Sequence, residues 1–210
     1  MKALLIVDMQ NDFMPGGPLG VPGALELIPV INALIPQFPH VIVTQDWHPP
    51  GHVSFAASHP GKHPGETVEV EGIPQILWPV HCVRETPGAD LVSGLHKEKI
   101  ASHFYKGTDT AVDSYSAFFD NARRQSTGLE AYLKTHQIDL LYIAGVCTEY
   151  CVLYSTIDAI DLGFSVTVIA DACRGIDAQD VKDAFAFMAA KGAKIIQSEE
   201  FPTQRRKDAK

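Results

Sequence analysis

Short apolar runs, several of them rich in β-branched residues, recur along this chain at residues 3–7, 41–44, 103–105, 140–144, 166–170 and 194–196. Several are continuously apolar rather than alternating. Strands buried on both faces have that character, as in a parallel sheet covered by helices. Amphipathic stretches lie between them at 25–34, 128–135, 150–162 and 181–191. Gly163 and Gly192 follow the last two, where a left-handed residue closes a helix. Pro29 is compatible with the first stretch only inside its opening turn. The alternation predicts an open, doubly wound α/β sheet. A length of 210 residues suits one such domain spanning 1–210.

Two stretches break the rhythm. Residues 46–82 are rich in Pro, Gly and His with little periodicity, and residues 107–118 form a shorter stretch that also lacks periodicity. A long irregular loop in a folded domain is usually functional or disordered; with Asp46, His48 and His81 at its two ends, 46–82 is expected to be a metal-binding insertion loop. The 17 basic and 25 acidic side chains give a net charge of -8, which disfavours a phosphate backbone as partner. The basic cluster Arg205, Arg206, Lys207 and Lys210 reads as a solvated tail. The first apolar run is cut by Asp8, too early for a secretion signal or a membrane span. Four cysteines without scaffold-like spacing fit a reducing, cytoplasmic setting. The expected partner is therefore a small molecule, neither nucleic acid nor membrane, with monomer and homo-oligomer equally open.

In open α/β sheets ligands bind beyond the carboxyl ends of the strands, where strand order reverses. Reactive side chains stand at four such ends: Asp8, the Asp46-Trp47-His48 turn, Lys106, and Gly145 to Cys151. Cys151 falls near the first turn of a helix. There the helix field favours a thiolate, and free backbone N–H groups can hold an oxyanion. A thiol needs a base for its proton and a cation for its charge, and Asp8 and Lys106 supply one of each. Asp46 and His48, two residues apart in extended chain, project to the same side. With His81 they form a three-ligand set that leaves positions open, as a catalytic metal requires. Zn²⁺, Fe²⁺ and Mn²⁺ all suit it. Cys82 is read as core.

These segments, from Val7-Asp8-Met9-Gln10-Asn11-Asp12-Phe13 through Asp46-Trp47-His48, Trp78-Pro79-Val80-His81-Cys82 and Lys106-Gly107 to Gly145-Val146-Cys147-Thr148-Glu149-Tyr150-Cys151, resemble the isochorismatase-like cysteine hydrolases, and within them the nicotinamidase branch. The resemblance runs in order from Leu4 to Gly192. It implies a three-layer α/β/α fold with a six-stranded parallel sheet. It implies a catalytic triad of Asp8, Lys106 and Cys151, and a single divalent ion, zinc first, on Asp46, His48 and His81. His52 stands where some members supply a further ligand and others use water. The resemblance also implies a cis peptide at Val146–Cys147, an oxyanion hole from the N–H groups of Cys147 and Cys151, and a pyridine ring held by Phe13, Trp78 and Tyr115. Tyr150 is a weaker candidate for that wall. Cys147 departs from the alanine usual there, which a backbone donor tolerates. The implied reaction is hydrolysis of nicotinamide to nicotinate and ammonia through a cysteine thioester, as in NAD salvage, with pyrazinamide as a further amide. Competing readings are a ureido or N-carbamoyl amidohydrolase on the same scaffold, or a non-catalytic metal- or thiol-sensing protein. The last leaves Asp8 and Lys106 without a role.

Overall fold

All six predicted strands form and pair into one parallel sheet. The computed structural model describes residues 1–201, so the basic cluster at 205–210 lies outside the described residues. In chain order the elements are β1 (Lys2–Val7), α1 (Leu27–Leu34), β2 (His40–Asp46), β3 (Thr67–Val70), β4 (Ile73–Ile76), β5 (Ser102–Lys106), α2 (Leu129–Thr135), β6 (Leu140–Val146), α3 (Leu153–Asp161), β7 (Ser165–Arg174), α4 (Ala178–Ala190) and β8 (Lys194–Ile196). The six-stranded sheet runs β5-β2-β1-β6-β7-β8, with every pairing parallel. The chain winds outward from β1 through β2 to β5, then returns to the other side of β1 as β6. Strand order therefore reverses between β1 and β6, and the crevice for a ligand opens there.

The period-two geometry of β1 divides the core. Leu4 and Ile6 face α1 through Leu27, Ile31 and Leu34. Ala3, Leu5 and Val7 face α2, α3 and α4 through Leu129, Leu133, Ala159, Ala184 and Met188. Burial of β1 on both sides is why its sequence does not alternate. Pro29 lies in the opening turn of α1, where its missing N–H costs nothing. Gly163 and Gly192 close α3 and α4 with positive φ, as expected.

Two local features differ from the sequence reading. The stretch 46–82 is not wholly irregular, because β3 and β4 pair as an antiparallel hairpin. Its turn, Glu71-Gly72, has φ of 51° and 83°, the doubly left-handed turn that matches the twist of a two-stranded ribbon. Pro74 masks the strand signal, but both strands of an isolated ribbon are edges, where proline is tolerated. The helix expected from 150 begins instead as a wider π-helical turn, Thr148–Val152, that passes into α3. Such turns are frequent at functional sites. Among the described residues no helix is long and apolar enough to cross a membrane.

Candidate active site

The carboxyl ends of β1, β2, β5 and β6 bring the predicted side chains together. Asp46 and Lys106 close β2 and β5 and stand opposite each other in register. Neighbouring parallel strands send register partners to the same side, so their side chains meet. Asp8 follows β1 with a left-handed φ of 50°. Cys151 comes from the π-helical turn after β6.

Lys106 is the hub and is 1% exposed. Its Nζ lies 2.9 Å from Asp8 Oδ2, donates to Asp46 Oδ1, donates to Cys151 Sγ at 3.3 Å and to the Ser114 carbonyl at 3.1 Å. Asp8 is fully buried, and Thr44 Oγ1 donates to its Oδ1 at 2.8 Å. Lys106 sits close to the other oxygen, Oδ2, but off the line of a hydrogen bond, so that oxygen lacks a directed donor. Oxygens of Asp8 and Asp46 and the Cys151 sulfur lie within 4.8 Å of one another. The arrangement offers a thiol, an undirected carboxylate oxygen to take its proton, and an ammonium in contact with both.

Burial and charge set the protonation states. Burial raises the Asp8 carboxyl above its usual value, with Lys106 working against the rise and Asp46 adding to it. Burial also opposes charge on Asp46, yet Lys106 and His48 outweigh it and hold that carboxyl far below the usual range. Burial opposes the Lys106 ammonium too, but Asp46, Asp8 and Cys151 push its pKa well up. The Cys151 thiol goes well up, chiefly through burial, against the pull of Lys106. This corrects the expectation that a helix terminus would poise a thiolate: burial is the largest influence on the thiol, and it works against charge. The thiol rests protonated beside a base whose own affinity for a proton is raised.

Asp46, His48 and His81 are buried, with ligand-type atoms within 4.8 Å of one another. His48 Nδ1 bonds the Gly107 carbonyl at 2.9 Å, and His81 Nδ1 bonds the Pro79 carbonyl at 2.8 Å. A carbonyl only accepts, so each Nδ1 carries a hydrogen, which leaves Nε2 as the nitrogen each ring would offer to a cation. Both Nε2 atoms face Asp46 Oδ2, at 3.7 and 3.9 Å. Two imidazole nitrogens and a carboxylate oxygen converging in a buried space fit a divalent ion of the zinc class. Asp46 thus serves both clusters, one oxygen toward Lys106 and the other toward the rings. Asp46 raises His48, overcoming burial, while burial and the nearby His48 lower His81 to about 4.

His52 stacks on His48 with ring centroids 4.2 Å apart, and its nitrogens contact Ser54 Oγ at 2.7 Å and the Val112 carbonyl at 3.3 Å. It groups with His48 and Asp113 rather than with Asp46 and His81. Cys82 is fully buried in the core cluster, and all four cysteines are free.

A cavity opens beside Cys151. Phe13, Trp78 and Tyr115 line it, and so do Tyr150, Leu19 and Ile176. Trp78 Nε1 donates to Tyr115 Oη at 3.3 Å, and Tyr150 stands edge-on to Trp78 with centroids 5.0 Å apart. The Val146–Cys147 peptide is cis, and no backbone hydrogen bond among the described residues uses the Cys147 N–H.

Sequence reasoning missed several contributors. The side chain of Gln10 clamps the Asp46 backbone, accepting from the Asp46 N–H and donating to the Asp46 carbonyl, each at 2.8 Å. Thr44 sits mid-strand with nothing to set it apart from a core threonine. Asp113, which also lines the cavity, lies in the irregular 107–118 stretch, where no period predicts its direction.

A profile of the isochorismatase domain matches residues 2–200. The nicotinamidase of Escherichia coli strain K12 is 47% identical over 196 residues, covering 91% of this chain and 92% of that protein. A solved structure described as a nicotinamidase and pyrazinamidase of Acinetobacter baumanii superposes with a TM-score of 0.91 at 44% identity, over 94% of this chain and 96% of that one. A pyrazinamidase of Pyrococcus horikoshii, solved in complex with zinc, superposes with a TM-score of 0.77 at 36% identity, over 93% and 98% of the two chains.

Proposed function

Because the chain belongs to the isochorismatase family, we propose that the cluster at its sheet edge performs covalent amide hydrolysis. The protein is a nicotinamidase, an amidohydrolase that releases ammonia from nicotinamide. The observation that carries this mechanism is the contact of Lys106 Nζ with both Asp8 and Cys151, beside the Asp46, His48 and His81 set.

In this mechanism Phe13, Trp78 and Tyr115 hold the pyridine ring so that its carboxamide carbon faces Cys151 Sγ. Asp8 Oδ2 takes the thiol proton as the sulfur attacks, and Lys106 balances the charges of Asp8 and the sulfur. The N–H groups of Cys147 and Cys151 receive the oxyanion, and one such donor is worth about 3 kcal/mol of barrier. Asp8 passes its proton to the departing ammonia, leaving a nicotinoyl thioester. It then takes a proton from the water that hydrolyses this ester, and the thiol is restored. Asp46, His48 and His81 would hold a divalent ion, which when bound would supply Lewis-acid chemistry at this end of the cavity.

Zinc is the proposed native ion, with a single functional unit across the chain and a cytoplasmic setting. A coupled ammonia assay over nicotinamide, pyrazinamide, a ureido acid and an N-carbamoyl amine tests the reading. Release from nicotinamide far above the ureido and carbamoyl compounds is expected. Preference for either of those would replace the substrate assignment.

A further inference from the structure

Glu149 has no part in the mechanism above, yet it is buried within the same turn as the nucleophile. Its Oε1 accepts hydrogen bonds from the N–H groups of Ile176 at 2.6 Å and Asp177 at 3.1 Å. Those amides belong to the short connection between β7 and α4. Asp177 goes on to cap α4, accepting from the N–H groups of Gln179 and Asp180 at 2.8 and 3.1 Å. Gly175 lies so close to this carboxylate that a Cβ there would stand 2.0 Å from Glu149 Oε2. The connection is therefore pressed onto the carboxylate, with no room for a side chain between them.

This connection matters because Ile176 lines the cavity beside Cys151. Ile176 is 40% exposed, so core packing alone does not fix it. What holds its backbone is the pair of bonds to Glu149. Charge-assisted bonds from backbone amides to a buried carboxylate are among the stronger ones available.

We propose that Glu149 is a positioning residue for substrate binding: through the amides of Ile176 and Asp177 it ties the nucleophile-bearing turn to the segment that presents Ile176 to the ring. It touches neither the substrate nor the reacting atoms. The proposal rests on the nicotinamidase reading, since the wall it positions is the wall of that ring site.

The test is a steady-state comparison on nicotinamide of the wild type, E149A, E149Q, I176A and the double variant E149A/I176A, with melting temperatures for each. E149A is expected to raise KM about tenfold while kcat stays within about threefold, the pattern of lost ground-state binding. E149Q keeps one oxygen to accept from both amides and should recover most of that loss. I176A should raise KM similarly, and the double variant should resemble either single one, because the two residues act as a unit. If E149A fails to fold, E149D, whose shorter arm retracts the acceptor, takes its place in the cycle. A lower melting temperature with unchanged KM, a fall in kcat alone, or KM effects that multiply in the double variant would each overturn the proposal. A wild-type protein that releases no ammonia from nicotinamide would instead overturn the nicotinamidase reading.

Discussion

Asp8 holds a carboxylate fully buried, and burial raises its proton affinity. The proposed mechanism needs that carboxylate ionised. Activity should therefore fall as pH drops through a value above 3.8, the ordinary aspartate value. Thr44 donates to Asp8 Oδ1 and favours the charged form. Removing the hydroxyl in T44V raises the Asp8 pKa further, so the acid limb of the kcat/KM profile should move to higher pH. An acid limb at the wild-type position would show that another group sets it. In the same cluster, Asp46 turns one carboxylate oxygen toward both imidazoles. D46A should strip the ion, read as loss of bound metal by elemental analysis, and it also removes a partner of Lys106. Metal content equal to wild type would contradict that ligand assignment.

The elements explain why so much was readable beforehand. The doubly buried strands announce a parallel sheet, because a period-two face cannot appear where both faces are apolar. Once that sheet is inferred, Asp8, Asp46, Lys106 and Cys151 fall at strand ends by counting alone. What counting does not supply is direction within loops. Asp113, Ile176 and Glu149 depend on how irregular segments fold back, and Gln10 on a partner 36 positions away. The hairpin β3–β4 stayed hidden behind Pro74, although Glu71-Gly72 was a usable turn signal. The thiol's protonation was misread because a helix terminus is visible in sequence and desolvation is not. At the point where β1 meets β6, Gly145 pairs with Val7, and a Cβ there would lie 2.0 Å from the Val7 carbonyl oxygen. G145A is expected to destabilise the fold by about 3 kcal/mol, measured by urea unfolding. A loss under about 1 kcal/mol would mean the two strands separate easily.

For the molecule as a whole, fold and site share one cause. The reversal of strand order opens a crevice, and four strand ends fill it with groups that water would otherwise neutralise. An ion bound only by the folded chain also stabilises it. At about a thousandfold excess over its Kd the contribution is about 4 kcal/mol. Chelation should accordingly lower the Tm by about 10 °C, and restored zinc should recover it. A Tm indifferent to chelator and zinc would argue against a bound ion in the fold. The central claim is that amide cleavage passes through the Cys151 sulfur. The most direct measurement is ammonia release from nicotinamide by C151A, with folding and metal content checked alongside. The account predicts a folded, metal-loaded protein whose rate falls by about a thousandfold or more. Release at the wild-type rate from that folded variant would contradict it.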